Sequence, residues 1–415
     1  MNGLAEKSVT VVLSAIGGYG YHYYKALMEQ FPTGAIDLIA TIDPSPEQSD
    51  CYADINERSI PVYPSMEAFY DENRTADLAV IVSPIQHHVP QSCRALREGS
   101  HVLCEKPVAA TVQEVDRLIK TRNASDRWAR IGFQLSYASA IQSLKKDIMM
   151  DRFGKPIRLK TLYLWPRGWE YYRRNDWAGR VKDNAGNWIL DSPANNAMAH
   201  DLHNMLYLLG SRIDRAAEPV EITAECYRAY PIQNYDTVAC RIITEQNTEL
   251  LFYASHAIPE KVGLYFSFEF EKATVVYGEH GDDIVAKYQN GREKCYGSPQ
   301  ATPHFQKLFD AVTAVTNPSP ILCGPEAARP HTLCVNGIQE SAEQIVPFPK
   351  PMFRSDEKNG IRWIAGLAEA LLESYQKSSL PSEAGVRWAH SGKTVTLKNY
   401  RYYPGVSNPR GKPNP

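Results

Sequence analysis

At 415 residues, 43% of them apolar and with a formal charge of −2, the chain is long enough for two domains and has the composition of an ordinary soluble globular protein. That balance gives no electrostatic reason to expect nucleic acid or a membrane surface as a partner. No stretch approaches about 18 uninterrupted apolar residues, a strand pattern begins at Val9 with no leader before it, and the eight cysteines form no Cys-x-x-Cys pair, so reduced thiols and a cytoplasmic location are expected.

The first third alternates short apolar runs with amphipathic stretches. Val9 to Leu13, Asp37 to Ile42, Leu78 to Val82, His101 to Cys104 and Arg130 to Phe133 read as buried parallel strands. Tyr21 to Gln30, Val89 to Glu98 and Val112 to Thr121 read as the helices between them. Such alternation predicts a doubly wound α/β sheet. Beyond residue 130 the rhythm changes. A helix is expected over Ala140 to Met150, then longer strands at Ile157 to Leu164, Glu221 to Tyr227, Val238 to Ile243, Leu250 to Ser255 and Leu264 to Phe270. The alternation of Phe266, Phe268 and Phe270 with polar residues marks an antiparallel sheet with one covered and one open face, and an open face favours a homo-oligomer. The tail is expected to hold a helix over Ile361 to Gln376 and then an extended arm that reaches a neighbouring subunit or wraps its own domain. The expected division is residues 1–130, 131–347 and 348–415.

Four features carry chemistry. The turn Ala15-Ile16-Gly17-Gly18-Tyr19-Gly20 follows the first strand, where small residues let backbone N–H groups approach a pyrophosphate; a plain strand–helix turn is the alternative. Asp43 ends the second strand, about 20 residues farther on, where a carboxylate bonds a ribose 2′-hydroxyl and repels a 2′-phosphate, favouring NAD over NADP; the alternative is that it only starts the turn into Pro44. Ser83 and Pro84 open the loop after the fourth strand, with His88 placed either to cap the next helix or to touch the cofactor. Glu105-Lys106-Pro107 closes the next strand, and an ammonium delivered there can reach a substrate hydroxyl lying on a nicotinamide ring.

Together these motifs resemble the Gfo/Idh/MocA oxidoreductases, relatives of glucose–fructose oxidoreductase and inositol dehydrogenase. The resemblance covers residues 9 to about 345 and implies a Rossmann domain followed by an α/β domain on a large open, mostly antiparallel sheet. It implies a cofactor contact set of Gly17, Gly18, Tyr19, Gly20, Asp43, Ser83, Pro84, His88, Glu105 and Lys106, a catalytic role for Lys106, and a Lys106–Pro107 bond open to the cis form. The family's paired acid and histidine, four residues apart, fall on Asn196 and His200, so His200 inherits the base role while an amide replaces the acid. Asp191 lies upstream as a compensating carboxylate at a spacing that does not match.

Independently of the family, Asn196, His200, His203, Asn204 and Tyr207 share one helix face without Lys, Glu or Arg, as suits a pocket wall for a polyhydroxylated ligand; an interior polar stripe is the alternative. Aromatics crowd residues 162–188 beside Arg167 and other basic residues, and Trp165, Arg167 and Trp177 are candidate sugar contacts, with plain core packing as the competing explanation. His200 and His203 with Asp191 or His256 make a poor metal set, and no metal is expected. The reading is an NAD-dependent oxidoreductase acting on a secondary hydroxyl of a sugar, polyol or glycoside. Its rivals are a glycoside hydrolase that recycles NAD through oxidation, elimination and reduction, and a non-catalytic NAD- and sugar-binding sensor.

Overall fold

The computed structural model describes residues 8–279 and 281–405. The amino-terminal part runs β1 (Val9–Ser14), α1 (Tyr19–Glu29), β2 (Ile36–Ile42), α2 (Tyr52–Glu57), β3 (Val62–Tyr63), α3 (Met66–Asp71), β4 (Leu78–Ile81), α4 (Ile85–Arg97), β5 (His101–Cys104), α5 (Val112–Asn123) and β6 (Ala129–Ile131). All six strands are parallel in the order β3-β2-β1-β4-β5-β6. Strand order reverses between β1 and β4, so a crevice opens at their carboxyl ends, where doubly wound sheets bind ligands. The apolar runs fall in this sheet because both of its faces are covered. Val11, Leu13, Val80 and Leu103 point to one layer, and Val12, Ala79, Ile81 and Val102 to the other.

The chain continues through α6 (Ser139–Met149), β7 (Pro156–Leu164), α7 (Trp169–Arg173), α8 (Ala199–Leu208), β8 (Pro219–Arg228), β9 (Thr237–Thr244), β10 (Glu249–Ser255), β11 (Val262–Phe270), β12 (Ala273–Tyr277), β13 (Ile284–Tyr288) and β14 (Glu293–Gly297). Then come α9 (Gln306–Thr316), α10 (Pro325–Ser341), β15 (Val346–Pro347), β16 (Phe353–Asp356), β17 (Ile361–Ile364), α11 (Leu367–Lys377) and β18 (Val395–Thr396). The second sheet has ten strands, in the order β14-β13-β12-β11-β7-β10-β9-β8-β15 with β18 also on β8. It is mostly antiparallel; β10 with β7 and β15 with β8 are the parallel pairs.

The segment from Phe305 to Val312 returns to the first sheet, where Leu308, Ala311 and Val312 pack on the β1 and β5 side. Two expectations about the carboxyl-terminal half are corrected. The expected helix from Ile361 begins only at Leu367. Ile361–Ile364 pairs with Phe353–Asp356 as a hairpin, and Gly366, at φ +78°, turns the chain into the helix. The outer face of the large sheet is not open over β7 to β10. Phe348, Leu367, Leu371, Tyr375 and Leu380 cover it, packing on Leu162, Leu164, Tyr227, Leu251 and Tyr253. The tail therefore wraps its own chain, with Tyr403 buried against Trp188 and its backbone bonded at both ends to the Gln113 amide.

Candidate active site

The turn after β1 is shaped for close approach. A Cβ at Gly20 would lie 2.1 Å from the Ala15 carbonyl oxygen, so helix α1 can sit this tightly on the strand only with glycine there. A Cβ at Gly17 or Gly18 would meet nothing within 4 Å, leaving open space over the amino end of α1. Asp43 closes the turn from β2. One carboxylate oxygen accepts from the Ile16 N–H at 3.1 Å and the other from the Ser45 N–H at 2.9 Å. Ser14 and Ser83, at the ends of β1 and β4, both donate to the Gln91 side-chain oxygen, at 2.9 and 2.8 Å, which fixes the width of the crevice.

Lys106 leaves the end of β5 through a cis Lys106–Pro107 bond. Its ammonium donates to the Asn196 carbonyl at 2.8 Å, bridging the two sheets' elements. Burial lowers its pKa to about 8, against the opposing pull of Glu105. Asn196 in turn donates its side-chain amide to Asp191 at 2.7 Å and to the Tyr171 hydroxyl at 3.3 Å. The second Asp191 oxygen accepts from the Gly179 N–H at 2.6 Å. The carboxylate missing from position 196 is thus supplied by Asp191 through one hydrogen bond.

His200 opens helix α8 one turn later. Burial, then the charges of Lys106 and Lys307, hold its pKa well below the usual value, so it is neutral at pH 7. Its Nδ1 is buried with no hydrogen-bond partner among the described residues. His200 lines a cavity of about 680 Å³ together with Asn204, Asp201, Tyr163, Trp165 and Lys261. Trp165 and Tyr163 stack in this wall with ring centroids 5.5 Å apart. Burial raises the Asp201 carboxyl to about 7, with Lys106 opposing.

Residues 9–133 match the model of a family described as oxidoreductases with an NAD-binding Rossmann fold, GFO_IDH_MocA. The match covers the amino-terminal parallel sheet and supports the Gfo/Idh/MocA resemblance for that part of the chain. Among curated relatives, an inositol 2-dehydrogenase of Pseudomonas savastanoi is 26% identical over 216 residues, 47% of this chain and 58% of that protein. A 1,5-anhydro-D-fructose reductase of Ensifer adhaerens is 26% identical over 152 residues, 35% of this chain and 45% of that protein. The matches thus span about half the length of these relatives. Among solved structures, the WlbA dehydrogenase of Bordetella pertussis, in complex with NADH and UDP-GlcNAcA, superposes with a TM-score of 0.66 at 18% identity, over 81% of this chain and 97% of that one. A UDP-N-acetylglucosamine 3-dehydrogenase from Acidithiobacillus ferrooxidans gives 0.62 at 20% identity, over 81% and 98%. At these identities the likeness is one of fold.

The glycine turn fits an NAD cofactor: it leaves open space for a pyrophosphate at a helix amino terminus, with Asp43 following β2 beside it. Tyr19, 38% exposed, has its hydroxyl 2.5 Å from the His304 ring on the cavity wall. Pro84 opens α4 at the crevice edge.

Several expected contacts lie elsewhere. His88 is buried, each ring nitrogen 2.7 Å from a backbone carbonyl, of Pro107 and of Ser83, so it clamps two loops together rather than facing the crevice. Glu105 is buried beneath the turn, ion-paired with Lys307 and accepting from the Tyr23 hydroxyl at 2.5 Å and the Lys106 N–H at 3.0 Å. It braces the site from below. His203 packs in the interior, 3.9 Å from the Phe133 ring and 3.1 Å from the Ser136 hydroxyl. The helical stripe explains this: at about 100° per residue, Ala197, His200, Asn204 and Asp201 form the arc that faces the cavity, while His203 and Tyr207 turn past its edge. Trp165 is on the cavity wall, and Arg167 stacks 3.7 Å from its ring and 4.8 Å from that of Tyr171. Trp177 packs with Ile85, Ile189 and Tyr403 instead. Sequence reasoning did not single out Asp201 on the cavity wall, although its charge on the helix next to His200 was an available signal.

Proposed function

We propose that the protein is an NAD-dependent oxidoreductase that moves hydride between the nicotinamide and a secondary hydroxyl-bearing carbon of a sugar, polyol or glycoside. The observation that supports it most is the proximity of two groups from different parts of the chain: the Lys106 ammonium, bonded to the Asn196 carbonyl, lies near enough to help hold the His200 imidazole neutral, and His200 lines the cavity. NAD, when bound, accepts or supplies the hydride. The chain's own part is proton and charge management. His200, uncharged at pH 7 and with a free buried Nδ1, takes the hydroxyl proton during oxidation and returns it during reduction. Lys106 holds the same oxygen and stabilises negative charge as it develops. Asp191 and Asn196 fix the segment that leads into His200 and accepts from Lys106. The charge of Asp43 favours NAD over NADP by repelling a 2′-phosphate.

Lys106→Ala tests the reading. Turnover is expected to fall about 100-fold or more with little change in NAD affinity. Full turnover in that variant overturns the mechanism. NADH formed in proportion to product separates net oxidation from redox-neutral hydrolysis.

A further inference from the structure

The carboxyl of Asp201 is a buried polar group without a use in the scheme above. Asp201 is 7% exposed and lies on the wall of the His200 cavity. Among the described residues, no other residue hydrogen-bonds its carboxyl oxygens and no cation pairs with them; Lys261, at the cavity rim, is likewise without an ion pair. The Asn204 side-chain oxygen, one helical step round the same arc, is buried and unpartnered too. Buried acceptors are normally satisfied; the Asn204 oxygen is not, and the Asp201 carboxyl beside it is bonded by no residue but its own backbone, so a ligand's donors belong on this wall. Beside them stand the stacked rings of Trp165 and Tyr163. The cavity, about 680 Å³, is of the size that small ligands fill.

We propose that Asp201 determines specificity in this cavity: its carboxylate, with the Asn204 oxygen, accepts hydrogen bonds from adjacent hydroxyls of a sugar ring packed against the Tyr163 and Trp165 side chains. The ligand chemistry follows from what surrounds the acceptors. An ammonium group is disfavoured because Lys106 and Lys261 already place positive charge there. A purely apolar group would leave both acceptors unsatisfied. A ring with a C–H face and a row of hydroxyls answers both surfaces at once. The proposal rests on the oxidoreductase reading of the same site for its position beside the reacting carbon, and on the cavity alone for its chemistry.

The test is calorimetric titration of the NAD-loaded protein with myo-inositol, methyl β-D-glucopyranoside and methyl β-D-galactopyranoside, with NADH formation followed in parallel. At least one ring should bind. Asp201→Asn, close in size and shape, should weaken that ring about ten-fold or more, and Asp201→Ser by at least as much, with melting temperature and NAD affinity retained. One monodeoxy analogue of the ring should lose a similar factor in the wild type and lose nothing further in Asp201→Asn, the signature of a direct contact. Equal affinity in wild type and both variants, additive losses for every deoxy analogue, or no binding by any of the three rings overturns the proposal. Binding that depends on Asp201 without any NADH formation leaves the subsite standing and removes the oxidoreductase reading instead.

Discussion

Lys307→Met isolates the buried ion pair beneath the glycine turn. Lys307 and Glu105 are almost wholly excluded from water and salt-bridged to each other. Lys307 also donates to the Gly132 carbonyl at 3.3 Å. Replacing it leaves the Glu105 carboxylate buried with the Tyr23 hydroxyl and the Lys106 N–H but no opposing salt-bridge partner. Breaking one side of such a pair costs about 3–5 kcal/mol. With a urea slope near about 3 kcal/mol per M, the unfolding midpoint should drop by about 1 M or more. The double variant Glu105→Gln/Lys307→Met should recover part of that loss, because no charge remains stranded. The pH dependence has a definite sign. Burial alone would raise the Glu105 pKa, but the Lys307 charge and the hydrogen bonds from Lys307 and Tyr23 prevail and hold it below the ordinary value. Its stabilising contribution is therefore complete above the unfolded-state pKa of about 4.3 and disappears as pH falls through the lower folded value. Urea titrations of wild type and the three variants across acid pH measure both effects. A Lys307→Met midpoint equal to wild type, or an unchanged acid slope in Glu105→Gln, refutes the reasoning.

Three further outcomes are expected. Asp191→Asn, which leaves the Asn196 amide without its charged acceptor, should lower turnover about ten-fold or more while NAD affinity holds; wild-type turnover would detach that carboxylate from the site. Asp43→Ser should raise the ratio of kcat/KM for NADP over NAD at least about ten-fold, since a 2′-phosphate no longer meets a carboxylate. It should also loosen the turn, because Asp43 bonds the Ile16 N–H; an unchanged ratio would reduce Asp43 to a turn brace. Gly20→Ala drives a methyl to 2.1 Å from the Ala15 carbonyl oxygen, and a loss of about 1–3 kcal/mol or more in thermal or urea unfolding is expected. Normal melting would mean that α1 can lift off β1.

The first sheet was legible because strands buried on both faces read as near-continuous Val, Ile and Leu, and all five expected strand patterns fall within a residue or two of the observed bounds. The short β3, paired at only two residues, has too little pattern to read. The sequence does not assign α9 to a sheet: its amphipathic face does not say which of two it covers, and Phe305, Leu308 and Val312 suit either. The open face failed for a related reason. Period-two alternation in β11 shows that one face is buried against the core, but the other face is closed over β7 to β10 by a segment roughly 100–200 residues later, a pairing that no local pattern encodes.

The same distinction runs through the site. Lys106 and His200 could be singled out from the sequence because each sits at a fixed place in an element, a strand end and a helix start. Asp191 stood out only as a compensating carboxylate off the family spacing, because it lies in an irregular stretch whose course is set by Gly179, Asn195 and Asn234. The Asn195 amide ties the Ile189 and Leu190 carbonyls, and Asn234 holds the Asp191 carbonyl at 3.0 Å. That scaffold lets a carboxylate five residues off the family spacing arrive beside Asn196. An amide at 196 is therefore no sign of a site without negative charge: the charge lies one hydrogen bond farther from the imidazole. At that distance it orients the segment more than it stabilises an imidazolium, which in the proposed mechanism leaves Lys106, its pKa lowered to about 8 by burial and still cationic at pH 7, to meet charge on the substrate oxygen.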